Sequence, residues 1–92
     1  MEKLTGKCKD DFLENYKRSE TSFNSHTLRY KNKLIINFFK LKGIIITFRK
    51  SKLGGCLLYF SNEFEGVGVG WSLLDIQEKS ISKANEIYNS KQ

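Results

Sequence analysis

The sequence predicts an α+β fold: a small antiparallel sheet of two to three strands with helices packed on one face, in the order α-α-β-β-β-α. Three observations predict it. Apolar residues recur at helical spacing in segments near both ends of the chain and before Gly43. Between them lies a β-branched and aromatic run, Ile44–Arg49, followed by a glycine pair and further short apolar stretches. The chain has 92 residues and is 39% hydrophobic, which suits one domain over 1–92 with a single core.

The first helix is expected from about Lys7 to Arg18, with Thr5 as N-cap. Cys8, Phe12, Leu13 and Tyr16 fall on one of its faces. Asp10 and Asp11 precede Lys17 and Arg18, an order that suits the helix dipole. Ser19–Ser25 is polar and reads as a loop, with Phe23 as its anchor to the core. A second helix is expected from about Thr27 to Lys42, with Tyr30, Leu34, Ile35, Phe38 and Leu41 as its apolar face and Gly43 as its stop. A strand over the short apolar run Leu34–Phe39 is the rival reading.

Ile44–Arg49 reads as a strand, Lys50–Gly55 as a turn and Cys56–Ser61 as the second arm of a hairpin. Asn62–Glu65 reads as a loop and Gly66–Trp71 as a third strand. Ser72-Leu73-Leu74-Asp75 opens a last helix, which Leu73, Gln77, Ile81, Ala84, Ile87 and Tyr88 continue.

Charge is distributed unevenly. Residues 1–20 hold five basic and five acidic groups, and residues 63–92 hold three and five. Between Thr21 and Asn62 there is no acid, but eight bases: Arg29, Lys31, Lys33, Lys40, Lys42, Arg49, Lys50 and Lys52. The net charge of +6 therefore resides in the middle of the chain. These eight are the candidate partner-binding residues, and a polyanion or an acidic protein surface is the partner they imply. A solvated basic face is the plainer alternative.

The chemistry-bearing residues do not assemble into a catalytic set. Cys8, His26 and Cys56 lack the paired spacing of a zinc site. His26 is the one histidine and reads as a loop or first-turn residue; Asp10 with Asp11 and Glu63 with Glu65 are only local carboxylate pairs. Gly66-Val67-Gly68-Val69-Gly70 lacks the Gly-Lys-Ser/Thr of a phosphate loop and reads as a strand with Val67, Val69 and Trp71 on one side. No enzyme activity, cofactor or small-molecule substrate is expected. The two cysteines are expected as free buried thiols, with a disulfide or an intermolecular bridge as the alternative. No apolar run approaches the ~18 residues of a membrane span, and residues 1–11 hold no apolar signal core, so a cytoplasmic protein is expected.

Aromatic residues interleave with bases: Tyr30, Phe48 and Tyr59 lie near Arg29, Arg49 and Lys50. Stacking combined with phosphate contact would hold nucleic acid. Phe48 shares a strand face with Ile44 and Ile46, however, and is expected in the core. Arg49, Lys50 and Lys52 are expected to be exposed at the hairpin tip.

The opening Met1-Glu2-Lys3-Leu4-Thr5-Gly6-Lys7-Cys8-Lys9-Asp10-Asp11-Phe12 resembles that of many small phage and prophage proteins of Bacteroidota. Lys83-Ala84-Asn85-Glu86-Ile87-Tyr88-Asn89 resembles their last helix, and the Lys- and Asn-rich, proline-free composition suggests an AT-rich genome. The two segments cover about a fifth of the chain and carry no catalytic motif. Such proteins include anti-CRISPRs, and in size, charge and style this chain resembles one directed at a type VI-B effector, an RNA-guided RNase. The resemblance implies a non-enzymatic inhibitor that contacts the effector protein, its guide RNA, or both. A small basic nucleic-acid-binding accessory protein is the alternative.

Overall fold

The computed structural model describes residues 4–50, 57–61, 64–70 and 72–91, with side chains at 4–49 and 72–91. The elements, in chain order, are α1 (Gly6–Tyr16), α2 (Glu20–Asn24), α3 (Leu28–Leu41), β1 (Ile46–Lys50), β2 (Leu57–Ser61), β3 (Phe64–Gly70) and α4 (Leu73–Ser90). The strands follow one another antiparallel in the order β1-β2-β3. Phe48 pairs with Tyr59 and Leu58 with Val69, with an irregularity between Tyr59 and Ser61.

The expected α+β class is corrected. Over the residues with described side chains the protein is mostly helical, at 73% helix with β1 as the lone strand. The reason is where the rings sit. Phe12 of α1, Phe23 of α2, Phe38 and Phe39 of α3 and Tyr88 of α4 are all buried. Phe12 meets Phe23 edge-on at 5.2 Å and Phe38 at 5.4 Å, and Phe38 lies 5.8 Å from Tyr88. Large aromatic side chains carry the most apolar area per residue, so helices that supply them close on one another. Leu4, Cys8, Ile35, Ile44, Ile81 and Ala84 complete the cluster. The β-branched run that argued for a sheet contributes less: Ile44 is buried, but ahead of β1, and Ile45 is exposed.

The helix order is also corrected, because α2 occupies the stretch that reads as a loop. Ser19 Oγ accepts a hydrogen bond from Ser22 N at 3.0 Å, which caps this short helix. Phe23 is its core anchor. Residues 34–39 are helical, so the strand reading of that run does not hold. Thr27 caps α3 by accepting from Tyr30 N at 3.2 Å, and Ser72 caps α4 by accepting from Asp75 N at 3.1 Å.

The apolar face of α3 is rotated from the one the sequence suggests. Asn32, Ile35, Phe38 and Phe39 are buried, whereas Tyr30 is 47% and Leu41 72% exposed. Asn32 lies in the interior because its Nδ2 donates to Gln77 Oε1 of α4 at 3.2 Å. A buried amide with a partner is tolerated where an unpaired one is not. On α4 the buried side runs through Ile76, Gln77, Ser80, Ile81, Ala84, Asn85 and Tyr88, while Leu73 is exposed.

Cys8 is a free, buried thiol. Lys52, Cys56, Trp71, the glycine pair and most of the expected turn at 50–55 lie outside the described residues, as do Asn62 and Glu63. Among the described residues no helix is long and apolar enough to cross a membrane.

Candidate binding site

The rotation of α3 leaves a row of basic residues on its outward side. Arg29, Lys33 and Lys40 stand at i, i+4 and i+11, which places them on one stripe. All three are exposed, and among the described residues none forms an ion pair. Side chains four apart on a helix are neighbours, roughly 5–6 Å between Cβ atoms, so Arg29 and Lys33 present a paired positive charge.

A groove of about 520 Å³ runs beside this stripe, lined by Thr27, Arg29, Tyr30, Lys33, Ile36 and Asn37 of α3 and its cap, Phe48 of β1 and Gln77 of α4. That volume lies within the range of small-ligand clefts, roughly 300–1,000 Å³. Among the described residues two cations and no acid line it. Gln77 is held by the bond from Asn32, which leaves its Nε2 hydrogens as the donors it can offer a ligand.

Two rings border the groove. Phe48 is 40% exposed, which corrects its expected place in the core. Ile44 is buried before the strand begins and Ile46 packs against the core, whereas Phe48 borders the groove beside α3 and α4. Tyr30 is braced from behind: the His26 ring lies 4.7 Å from it at 60°. The His26 Nε2 is in turn 3.0 Å from Tyr16 Oη, which is also 3.4 Å from Ser22 Oγ. The single histidine thus braces Tyr30 from the segment between α2 and α3.

The eight basic residues separate in space. Arg29 and Lys33 line the groove, and Lys40 extends their stripe. Lys31 and Lys42 lie roughly half a turn round the helix from that stripe. Lys31 is half-buried, and Lys42 Nζ sits 5.8 Å from the centre of the Phe38 ring. Arg49 is exposed on β1 next to Phe48; Lys50 has only its backbone described and Lys52 lies outside the described residues. Sequence reasoning missed Ile36, Asn37 and Gln77. Asn37 continues the Arg29–Lys33 spacing by another four residues and was detectable in principle; Gln77, contributed by a distant helix, was not.

A second polar cluster joins α1 to α4. Tyr88 Oη donates to Asp11 Oδ2, and Lys7 Nζ lies 3.1 Å from Asp11 Oδ1. The Tyr88 bond, then Lys7, holds the Asp11 carboxyl below its ordinary range. Burial first, then the bond to Asp11, pushes Tyr88 up to about 12. Burial, then the Asp11 charge, pushes the Cys8 thiol up to about 12, so at neutral pH it stays protonated and a poor nucleophile. Asp11 is therefore tied into the fold, and the expected match to the dipole is corrected, because α1 has no acid in its first turn and no base in its last. Among the described residues no three of His, Cys, Asp and Glu converge as a metal-binding group. The glycine–valine stretch lies in β3, extended and paired with β2, and not in a phosphate loop.

No family model matches this chain, and no curated protein or solved structure is significantly similar to it.

Proposed function

We propose that this chain is a non-enzymatic binding protein that docks onto a negatively charged target through the outward face of α3. The observation that carries the reading is the Arg29–Lys33–Lys40 stripe, exposed and, among the described residues, without ion pairs and beside a groove with no acid in its lining. A positive face of this kind attracts a polyanion from a distance and raises the association rate, while the shaped groove supplies selectivity. The resemblance of its two terminal segments to phage proteins identifies the target to try first: a type VI-B RNA-guided effector with its guide RNA, in the cytoplasm of a bacterial host. In that role the protein is an anti-CRISPR, acting in stoichiometric amounts by occupying a surface that RNA loading or activation requires.

The test is a pull-down of the tagged chain from cells expressing such an effector with its guide, with and without RNase. Retention of the effector after RNase supports a protein-contacting inhibitor. Loss of the effector from both samples contradicts the inhibitor reading. The alternative, a nucleic-acid-binding accessory protein, is favoured by the exposed Tyr30 and Phe48 rings. Its signature is recovery of RNA without the effector.

A further inference from the structure

We infer that the groove between α3, β1 and α4 is a site for an unpaired nucleotide stretch, and that its ligand is a single strand of nucleic acid. This names the ligand class of the face described above and rests on that face being the binding surface. The argument starts from which side chains converge. Tyr30 and Phe48 come from different elements and both line the groove, at 47% and 40% exposure. Exposed rings in one cleft offer flat faces on which bases stack, whatever the base. Arg29 and Lys33 stand on the same wall, where phosphates of the same strand would pass. Asn37 and Gln77 add amides, the side chains that pair with base edges.

Three further observations narrow the occupant. An acidic peptide would satisfy Arg29 and Lys33, but it has no general use for two exposed rings. A duplex presents phosphates but keeps its base faces stacked inside, so it also leaves the rings unmatched. Lys40 extends the stripe seven residues past Lys33, about 10 Å along the helix axis, and gives a strand leaving the groove a further phosphate contact. The brace behind Tyr30, through His26 to Tyr16, holds its ring in place, so less ordering is needed when a base arrives.

The experiment uses the full chain and fluorescein-labelled ten-nucleotide probes: oligo-uridine, its DNA counterpart, and a ten-base-pair duplex, read by anisotropy across a salt series. The single strands should bind more tightly than the duplex. Their log K should fall with log salt at a slope near −2, from about 0.7 per phosphate contact and three cations. Tyr30→Ala and Phe48→Ala should each weaken binding about tenfold. Phe48→Leu, which keeps an apolar side chain but removes the flat face, should weaken it as Phe48→Ala does, with circular dichroism unchanged. No single-strand binding at tens of micromolar overturns the inference. So does equal affinity for the duplex, or affinity indifferent to both rings. Displacement of the probe by an oligo-glutamate peptide, combined with indifference to the rings, would reassign the groove to an acidic peptide. Effector capture that survives RNase, without oligonucleotide binding, removes this inference and leaves the inhibitor reading intact. Oligonucleotide binding without effector capture does the reverse.

Discussion

Asn85 and Asn89 stand one turn apart on α4 and cap a helix to which neither belongs. Thr5 N donates to Asn85 Oδ1 at 3.1 Å, Cys8 N donates to Asn89 Oδ1 at 2.9 Å, and Asn89 Nδ2 donates to Thr5 O at 3.0 Å. Thr5 occupies the N-cap position of α1 but makes no side-chain cap bond. The amides of Thr5 at the cap and Cys8 in the first turn are thus satisfied from the far end of the chain. Asn89→Ala should lower stability by about 1–2 kcal/mol in denaturant unfolding, the range for losing a helix cap. Asn89→Asp, which keeps the acceptor, should lower it less. Nearby, Tyr88 and Asp11 make stability depend on pH in both directions. Asp11 is held below its ordinary 3.8, so its contribution is present above that pH and is lost as pH falls through the depressed value. Tyr88 is raised from 10.0 to about 12, so its contribution is present below pH 10 and is lost as pH rises through about 12; Cys8, raised from 9.0, acts in the same sense. Tyr88→Phe should therefore be less stable than the native protein at neutral pH, with the gap narrowing below pH 3.8. A gap that stays constant from pH 7 to pH 3 would show that Asp11 and Tyr88 are not coupled. Little of this residue-scale detail was legible in the sequence. The spacing of Asn85 and Asn89 is visible there, but which amides they serve depends on where α4 lands on α1.

At the scale of elements, α3 carries the proposed binding face and its end is sharply fixed. Ile44 N donates to Phe39 O at 2.8 Å and Gly43 N to Lys40 O at 3.1 Å, with Gly43 at φ +87°. This is the Schellman arrangement, and it sends Ile44 back onto the core beside Phe39. A Cβ at Gly43 would meet nothing within 4 Å, so the penalty of Gly43→Ala is that of the left-handed backbone alone. It should be about 1–2 kcal/mol, read by thermal or denaturant unfolding, with target binding unchanged. The helical period of α3 and its glycine stop were legible in the sequence because both are local signals. The facing was not: Tyr30 and Leu41 fit an apolar stripe, but the buried Asn32–Gln77 pair turns them outward. A polar residue whose partner lies 45 positions away leaves no trace in a periodicity count. The missed α2 is a different failure. Its Ser19 cap was present in the sequence, but a five-residue helix that depends on one Phe anchor has no period to detect. The fold class went astray for a related reason. The strand-forming run at 44–49 is a strong local signal, whereas the ring cluster that makes the body helical forms only when four helices meet.

At the scale of the whole molecule, the charge asymmetry of the sequence becomes a sidedness in space. The acid-free stretch from Thr21 to Asn62 contains all of α3 and β1, two of the three elements that frame the groove. Its basic residues do not act as one patch, since Lys31 and Lys42 lie on the other side of α3 from Arg29 and Lys33. A binding face and a merely basic protein therefore make different predictions. Two variants with the same change in net charge separate them: Arg29→Glu with Lys33→Glu, and Lys31→Glu with Lys42→Glu. The measurement is capture of the type VI-B effector with its guide RNA by each variant, after melting curves show that both remain folded. The account predicts that the first pair weakens capture tenfold or more, while the second stays within about twofold of the native chain. Equal losses from the two pairs, or undiminished capture by the first, would contradict it.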